Sequence, residues 1–237
     1  MRARAEQNLQ DGEYRAAMID LRNFVSENPS DPRGRAMLGR AMLETGDVQA
    51  ARSEVRKAKE LGADRGLTIV SECRLWIEDD EFAQVLEECT STGDGALDVD
   101  LAVARGDALL GLQKYPEARG EFEDALRMDL NSQGATQGLA AAAFGEQGIE
   151  AARAVFQAAT PEVQEHSRFW LVQGSLEMRS GNFAEAEAAY SKAVERVEKD
   201  DSRGRLSALA GMTEAQLRLG KTDEADATSQ LLLEAAP

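Results

Sequence analysis

DGEYRAAMIDLRNFVSENP (residues 11–29) and TGDVQAARSEVRKAKELGA (residues 45–63) are two versions of one pattern. Gly12 and Gly46 lie 34 residues apart, and so do Ala17 and Ala51. Working outward, the pattern returns in QKYPEARGEFEDAL (113–126), QGIEAARAVFQAA (147–159), SGNFAEAEAAYSKAV (180–194) and LGKTDEADATSQLLL (219–233). Its alanine recurs at Ala17, Ala51, Ala118, Ala152, Ala186 and Ala225. Self-similarity at a fixed period of this size marks a helical or mixed repeat array. Apolar residues recur three and four apart, and alternation of β-branched residues is rare, so the repeats are helical.

Composition narrows the function classes. The 237 residues are 43% hydrophobic and 30% charged, with a net charge of −16. That balance argues against nucleic acid, whose binding depends on clustered Lys and Arg displacing counter-ions. No stretch reaches the ~18 consecutive apolar residues of a membrane helix, so direct membrane insertion is not expected. The opening MRARAEQNLQ lacks the apolar core of a secretory signal.

The six segments resemble the tetratricopeptide repeat, a helix–turn–helix element of 34 residues. In that family small residues fall at repeat positions 8, 20 and 27, with a bulky residue at 24. Residues 167–205 fit best, with Trp170, Gly174, Gly181, Phe183, Ala186, Tyr190 and Ala193 in register. Residues 66–98 depart most, with Cys73 at position 8, Val85 at 20 and Cys89 at 24. The resemblance implies an all-α, right-handed superhelical solenoid of about seven repeats: 1–31, 32–65, 66–98, 99–132, 133–166, 167–205 and 206–237. Pro29, Pro32, Pro161 and Pro237 read as lying between helices, and Pro116 in a helix's first turn, where its missing N–H is harmless. The spacing lapses between Ala186 and Ala225, and the polar run Glu198–Gly204 reads as a longer loop or an overlong helix. Solenoids normally end in a polar capping helix. None follows LLLEAAP, so the chain is expected to be an excised part of a longer array, with self-association through the uncapped C-terminal face as a further expectation.

A second likeness covers residues 4–63. RAEQNLQDGEYRAA (4–17) and KAKELGA (57–63) resemble the start of the large tetratricopeptide-repeat lipoproteins associated with bacterial PEP-CTERM/exosortase systems. That resemblance implies a parent protein anchored by lipid in the periplasm of an exopolysaccharide-producing bacterium; a cytoplasmic protein is the alternative.

Catalytic signals are sparse, and neither an enzyme nor a cofactor is expected. His166 is the only histidine, and no nucleophile elbow accompanies it. It reads as an exposed residue leading into the sixth repeat's first helix. Cys73 and Cys89 lack partners for a zinc site. They read as buried, reduced thiols on packing positions, with a disulfide as the alternative, since facing positions can satisfy its distance limits. Glu78-Asp79-Asp80-Glu81 lacks the glycine and spacing of a calcium loop and reads as a solvated turn.

Function is therefore expected on a surface. In the family, first helices line a concave groove into which positions 2, 5, 6, 9, 12 and 13 point. Arg40 and Arg74 share position 9 in successive repeats, with Arg33 close by and Asp107 two repeats after Arg40. Position 12 is apolar throughout: Leu9, Leu43, Ile77, Leu110, Phe144, Met178 and Leu217. It either seals adjacent first helices or contacts a ligand. Position 13 reads Gln10, Glu44, Glu78, Gly111, Gly145, Arg179 and Arg218. The glycines of repeats four and five, Gly138 among them, either admit a ligand backbone or allow tight helix packing. No Asn occupies position 9, so the carboxylate clamp for chaperone C-termini is not supported. The expected function is a non-enzymatic scaffold holding a protein or peptide against Arg33, Arg40, Arg74, Asp107, Leu110, Gly138, Phe144 and Met178. Two alternatives stand beside it, a structural spacer or self-assembling element and a glycan-binding module.

Overall fold

The computed structural model describes residues 1–197 and 201–235, without the side chains of Gln10 and Ser202. Fifteen helices and no strand occur among these residues. In chain order they are α1 (Arg2–Gln10), α2 (Tyr14–Glu27), α3 (Pro32–Glu44), α4 (Val48–Glu60), α5 (Arg65–Glu78), α6 (Phe82–Glu88), α7 (Gly95–Gly111), α8 (Tyr115–Met128), α9 (Gln133–Gln147), α10 (Ile149–Ala158), α11 (Pro161–Gln164), α12 (Ser167–Arg179), α13 (Phe183–Arg196), α14 (Ser202–Arg218) and α15 (Thr222–Ala235). The fold is an all-α helical repeat solenoid. The chain divides into two compact halves, Met1–Gly111 and Leu112–Pro237, and the division falls in the turn between α7 and α8.

Every helix pair but the third, where Val85 takes the place, is built on the recurring small residue. Ala17, Ala51, Ala118, Ala152 and Ala186 are fully buried, because this is where the second helix of a pair comes closest to its neighbours. Positions 8 and 24 meet inside a pair. A Cβ on Gly39 would lie 2.7 Å from Val55 Cγ2, and one on Gly174 would lie 2.8 Å from Tyr190 Cε1. The third pair makes the same contact covalently: Cys73 on α5 and Cys89 after α6 form a disulfide, with Cα atoms 6.1 Å apart. The expected burial of both residues holds, but the expected free thiols do not. Facing positions bring the two sulfurs together, which the residue types alone leave open.

The turns explain the conserved spacing within the chain. The position between paired helices takes a left-handed backbone, with φ of 78° at Gly12, 81° at Gly46, 76° at Gly181 and 75° at Gly220. Glycine adopts this without a Cβ penalty. Asp80 and Gln113 hold the same place at φ 58°. The starts of α3, α4, α9, α11 and α14 are capped by side chains. Asp31 accepts the Gly34 N–H at 2.6 Å, and Asp201 accepts that of Gly204 at 2.8 Å. Such caps satisfy N–H groups that a helix start otherwise leaves unpaired. Pro32 and Pro161 open α3 and α11 as first helical residues rather than lying between helices, and Pro237 lies outside the described residues. So do 198–200 of the polar run. Its described remainder lengthens a helix, since α14 starts at Ser202, ahead of the boundary expected at 206.

Candidate functional site

In the N-terminal half, the expected basic spot is largely neutralised. Arg33 pairs with Glu6 at 3.2 Å, and Arg2 approaches the same carboxylate at 3.8 Å. Arg74 pairs with Glu44. Arg40 is exposed and has neither an ion pair nor a hydrogen bond among the described residues. Tyr14, half-buried at the start of α2, senses Glu44, Arg40 and Arg74. Burial pushes its hydroxyl above the usual phenol range, Glu44 adds to the rise, and Arg40 and Arg74 oppose it. Asp107 is half-buried and engaged, and Leu110 is half-buried.

In the C-terminal half, the glycines serve rings of the chain itself. The Phe122 ring from α8 occupies the space beside buried Gly138 on α9, and the Tyr115 ring lies against Gly145. Gly211 on α14 receives Tyr190 in the same way, its notional Cβ 2.5 Å from the ring. In the N-terminal half Gly111 receives Phe82. Of the two readings held open for Gly138, this is tight helix packing. Phe144 is half-buried against the cluster around Ala140, Phe156 and Phe169, with the Arg179 guanidinium 4.7 Å from its ring centroid. Met178 is half-buried beside Ala186, Tyr190 and Ala215. The position-12 row therefore runs from buried Leu9 and Leu43 through half-buried Ile77, Leu110, Phe144 and Met178 to Leu217, which is 56% exposed. Neighbouring helices take most of this row into packing.

Sequence reasoning missed a polar ladder between successive repeats. Arg52 on α4 makes a two-pronged contact with Asp79 at 2.7 and 2.8 Å. Arg119 on α8 reaches Glu146 at 3.1 Å. Arg153 on α10 grips Glu177 on α12 with two bonds of 2.7 Å, and Asn182 Nδ2 donates to the same carboxylate at 2.9 Å. Glu177 is only 1% exposed. The Glu177 carboxylate lifts the Arg153 guanidinium above even its ordinary high value, with burial opposing. Glu187 on α13 receives Lys221 at 2.6 Å and Gln216 at 3.2 Å. The signal was present, since Arg119, Arg153 and Glu187 are spaced by one repeat length.

The remaining polar features organise turns. Asp98 on α7 accepts Ser91 Oγ and the Thr92 N–H at 2.6 Å each, Thr92 Oγ1 at 3.0 Å and the Gly93 N–H at 3.1 Å. The Ser91 bond leads the effects that hold this carboxyl down to about 2. His166 is exposed at the N-cap of α12. Among the described residues no group of three His, Cys, Asp or Glu side chains could hold a metal ion, and no helix is long and apolar enough to cross a membrane.

Known proteins locate the chain further. The sequence profile described as tetratricopeptide repeat-like domain matches residues 2–143, and one described as tetratricopeptide repeat matches 138–202. Comparison with curated protein sequences gives no significant match. Among solved structures, a tetratricopeptide repeat protein from Parabacteroides merdae is 16% identical, with a TM-score of 0.60 over 99% of this chain and 91% of its own. The APC/C hetero-tetramer Cut9-Hcn1 contains a chain that is 14% identical, with a TM-score of 0.65 over 98% of this chain and 48% of that one. Pseudomonas aeruginosa pilF is 18% identical, with a TM-score of 0.53 over 88% of this chain and 95% of its own. At these identities the structures speak to fold alone. A profile spanning more than half of the sequence, over helix pairs with buried small residues at a 34-residue interval, makes this chain a member of the tetratricopeptide repeat family.

Proposed function

We propose that the chain is a non-enzymatic scaffold that holds a protein or peptide against its first helices. One observation carries this reading: the ion pairs and packing just described leave Arg40 on α3 exposed and, among the described residues, outside every ion pair. A charge kept out of every internal pair adds little to the fold and is available to a partner. The test is selection of random displayed dodecapeptides on the immobilised full chain. Peptides enriched on the parent lose binding to Arg40→Glu and keep it on Arg56→Glu. Arg56 is a sound control, since among the described residues it pairs only with Glu60, one turn away at 3.8 Å. Glu187→Lys is not, because Glu187 belongs to an inter-repeat rung. Failure to enrich any peptide refutes the reading, and equal binding by both variants refutes its placement at Arg40.

The likeness over residues 4–63 supports a place in a bacterial cell-envelope or exopolysaccharide system, with a lipid-anchored periplasmic parent. The Cys73–Cys89 disulfide supports an oxidising compartment, where such bonds persist. A second reading, self-association, is favoured by exposed leucines on the last two helices and the turn between them: Leu217, Leu219, Leu231 and Leu233. Light scattering that shows a concentration-dependent increase in mass supports it, and a constant monomer mass removes it.

A further inference from the structure

We infer that α12 and α14 carry a docking site for an extended acidic peptide segment, held by Arg179 and Arg218. This rests on the scaffold reading above and names the chemistry of a partner. The two arginines share position 13 of successive repeats, each in the last turn of its helix, and α12 and α14 pack side by side. Both are exposed. The Arg179 guanidinium lies 4.7 Å from the centroid of the Phe144 ring, and that of Arg218 lies 5.6 Å from the centroid of Phe183.

A ring beneath a guanidinium engages one face of it and leaves the N–H edges free. Those edges match a carboxylate in two-pronged geometry, and the stacked side chain loses less freedom when it binds one. Arg179 has no carboxylate within ion-pair distance among the described residues. Among the described residues the one carboxylate Arg218 meets is that of Glu214, on its own helix at 3.7 Å, with both side chains about 60% exposed. Such a contact is weak and easily exchanged for a better acceptor. Arg153, by contrast, spends Nε and Nη2 on Glu177 and Nη1 on Glu150, and Arg74 is paired through Nη1 with Glu44 on the neighbouring repeat.

Spacing selects the ligand. Packed helices lie ~8–10 Å apart. A polyproline II segment has three residues per turn and rises ~3.1 Å per residue, so side chains at i and i+3 share one face about 9 Å apart. An extended segment with acidic residues three apart therefore meets both arginines at once, whereas a strand places i and i+3 on opposite faces.

The test uses fluorescein-labelled synthetic peptides of Pro background carrying Glu at i and i+3, Glu at i and i+2, or Gln at i and i+3. Anisotropy is read on the full chain at low and raised salt. The Glu i/i+3 peptide binds about tenfold tighter than the other two, and salt weakens it. Arg179→Gln and Arg218→Gln each cost roughly fivefold, in the range of a partly exposed charge pair. Arg179→Lys also weakens binding, because a point charge lacks the planar fork. Glu214→Gln strengthens it, and Arg56→Gln leaves it unchanged. Equal binding of Glu and Gln peptides, absence of binding by all three, or arginine variants that match the parent overturn the inference. Dodecapeptides selected on the same chain and still bound after such a failure leave the scaffold reading standing; loss of those as well removes both.

Discussion

Removing Arg153 should destabilise the C-terminal half strongly, and the reason lies in its partner. Glu177 is 1% exposed, whereas the Arg153 side chain is 26% exposed and also touches Glu150 at 2.7 Å. Arg153→Met leaves a buried carboxylate with only Asn182 as a hydrogen-bond donor. Breaking a buried pair from one side costs about 3–5 kcal/mol, since the surviving charge keeps its desolvation penalty. For a chain of this size that corresponds to a fall in Tm of roughly 6–20 °C. Glu177→Leu removes the more buried partner instead, and Arg153 then turns to Glu150 and water. Its cost is roughly 1–3 kcal/mol, the worth of the lost charged hydrogen bonds. The double variant carries no buried charge and should be more stable than Arg153→Met alone. Urea denaturation of all four proteins measures the cycle. Arg153→Met within 1 kcal/mol of the parent, or a double variant less stable than that single one, refutes the argument.

Three further outcomes are expected. Peptide mapping without reductant recovers Cys73 and Cys89 in one linked fragment; Cys89→Ser lowers stability by about 3 kcal/mol, the entropy of closing a loop with a sequence separation of 16, and free thiols in the native protein contradict this. Gly138→Ala destabilises by about 1–3 kcal/mol, because its methyl collides with the Phe122 ring, whereas Gly120→Ala on the exposed face of α8 meets nothing within 4 Å and stabilises by up to about 1 kcal/mol; denaturation midpoints that move together count against the packing account. Asp98, held to about 2 when folded against ~3.9 unfolded, supports the fold above the unfolded value and loses that support as pH falls from 4 towards 2; an Asp98→Ala deficit that persists undiminished at pH 2 sinks this.

The fold was legible because its determinants are short-range and periodic. A small residue at Ala17 and its successors, and a left-handed turn at Gly12 and Gly46, recur at fixed spacing and need no knowledge of distant partners. The glycines of the candidate groove were harder, because their meaning depends on a ring one repeat earlier. Phe122 reaches Gly138, 16 residues on, and Tyr190 reaches Gly211, 21 residues on. The five-residue difference equals the lengthening of the Ala186–Ala225 interval, from 34 to 39. One rule thus links position 24 of a repeat to position 6 of the next, and reading glycines in isolation hides it. Cys73 and Cys89 obey a rule of the same kind, positions 8 and 24 of one repeat, which fixes that they face each other and says nothing of their oxidation state.

Charge was the least legible property, and Arg40 and Arg74 show why. They are the same residue at the same repeat position, so sequence assigns them one role. Structure separates them through the preceding repeat. Arg74 finds Glu44 at position 13 of the repeat before it. The corresponding residue before Arg40 is Gln10, which carries no charge. Whether an arginine on the first-helix face is available to a partner is therefore decided by position 13 of its neighbour. The same position then supplies the arginines themselves in the last two repeats, where Arg179 and Arg218 rest on Phe144 and Phe183 instead of on carboxylates. Exchanging Glu44 for Gln transfers the Arg40 environment to Arg74 without altering either arginine. It should cost roughly 1 kcal/mol, since the pair joins an Arg74 side chain that is 36% exposed to a Glu44 side chain that is 17% exposed. It should also give the N-terminal half a second free guanidinium beside Arg40, and so strengthen its retention of the Glu i/i+3 peptide over the Gln peptide in a background of Arg179→Gln and Arg218→Gln. Unchanged retention there would show that ring stacking, rather than release from an internal carboxylate, makes an arginine of this surface competent to bind.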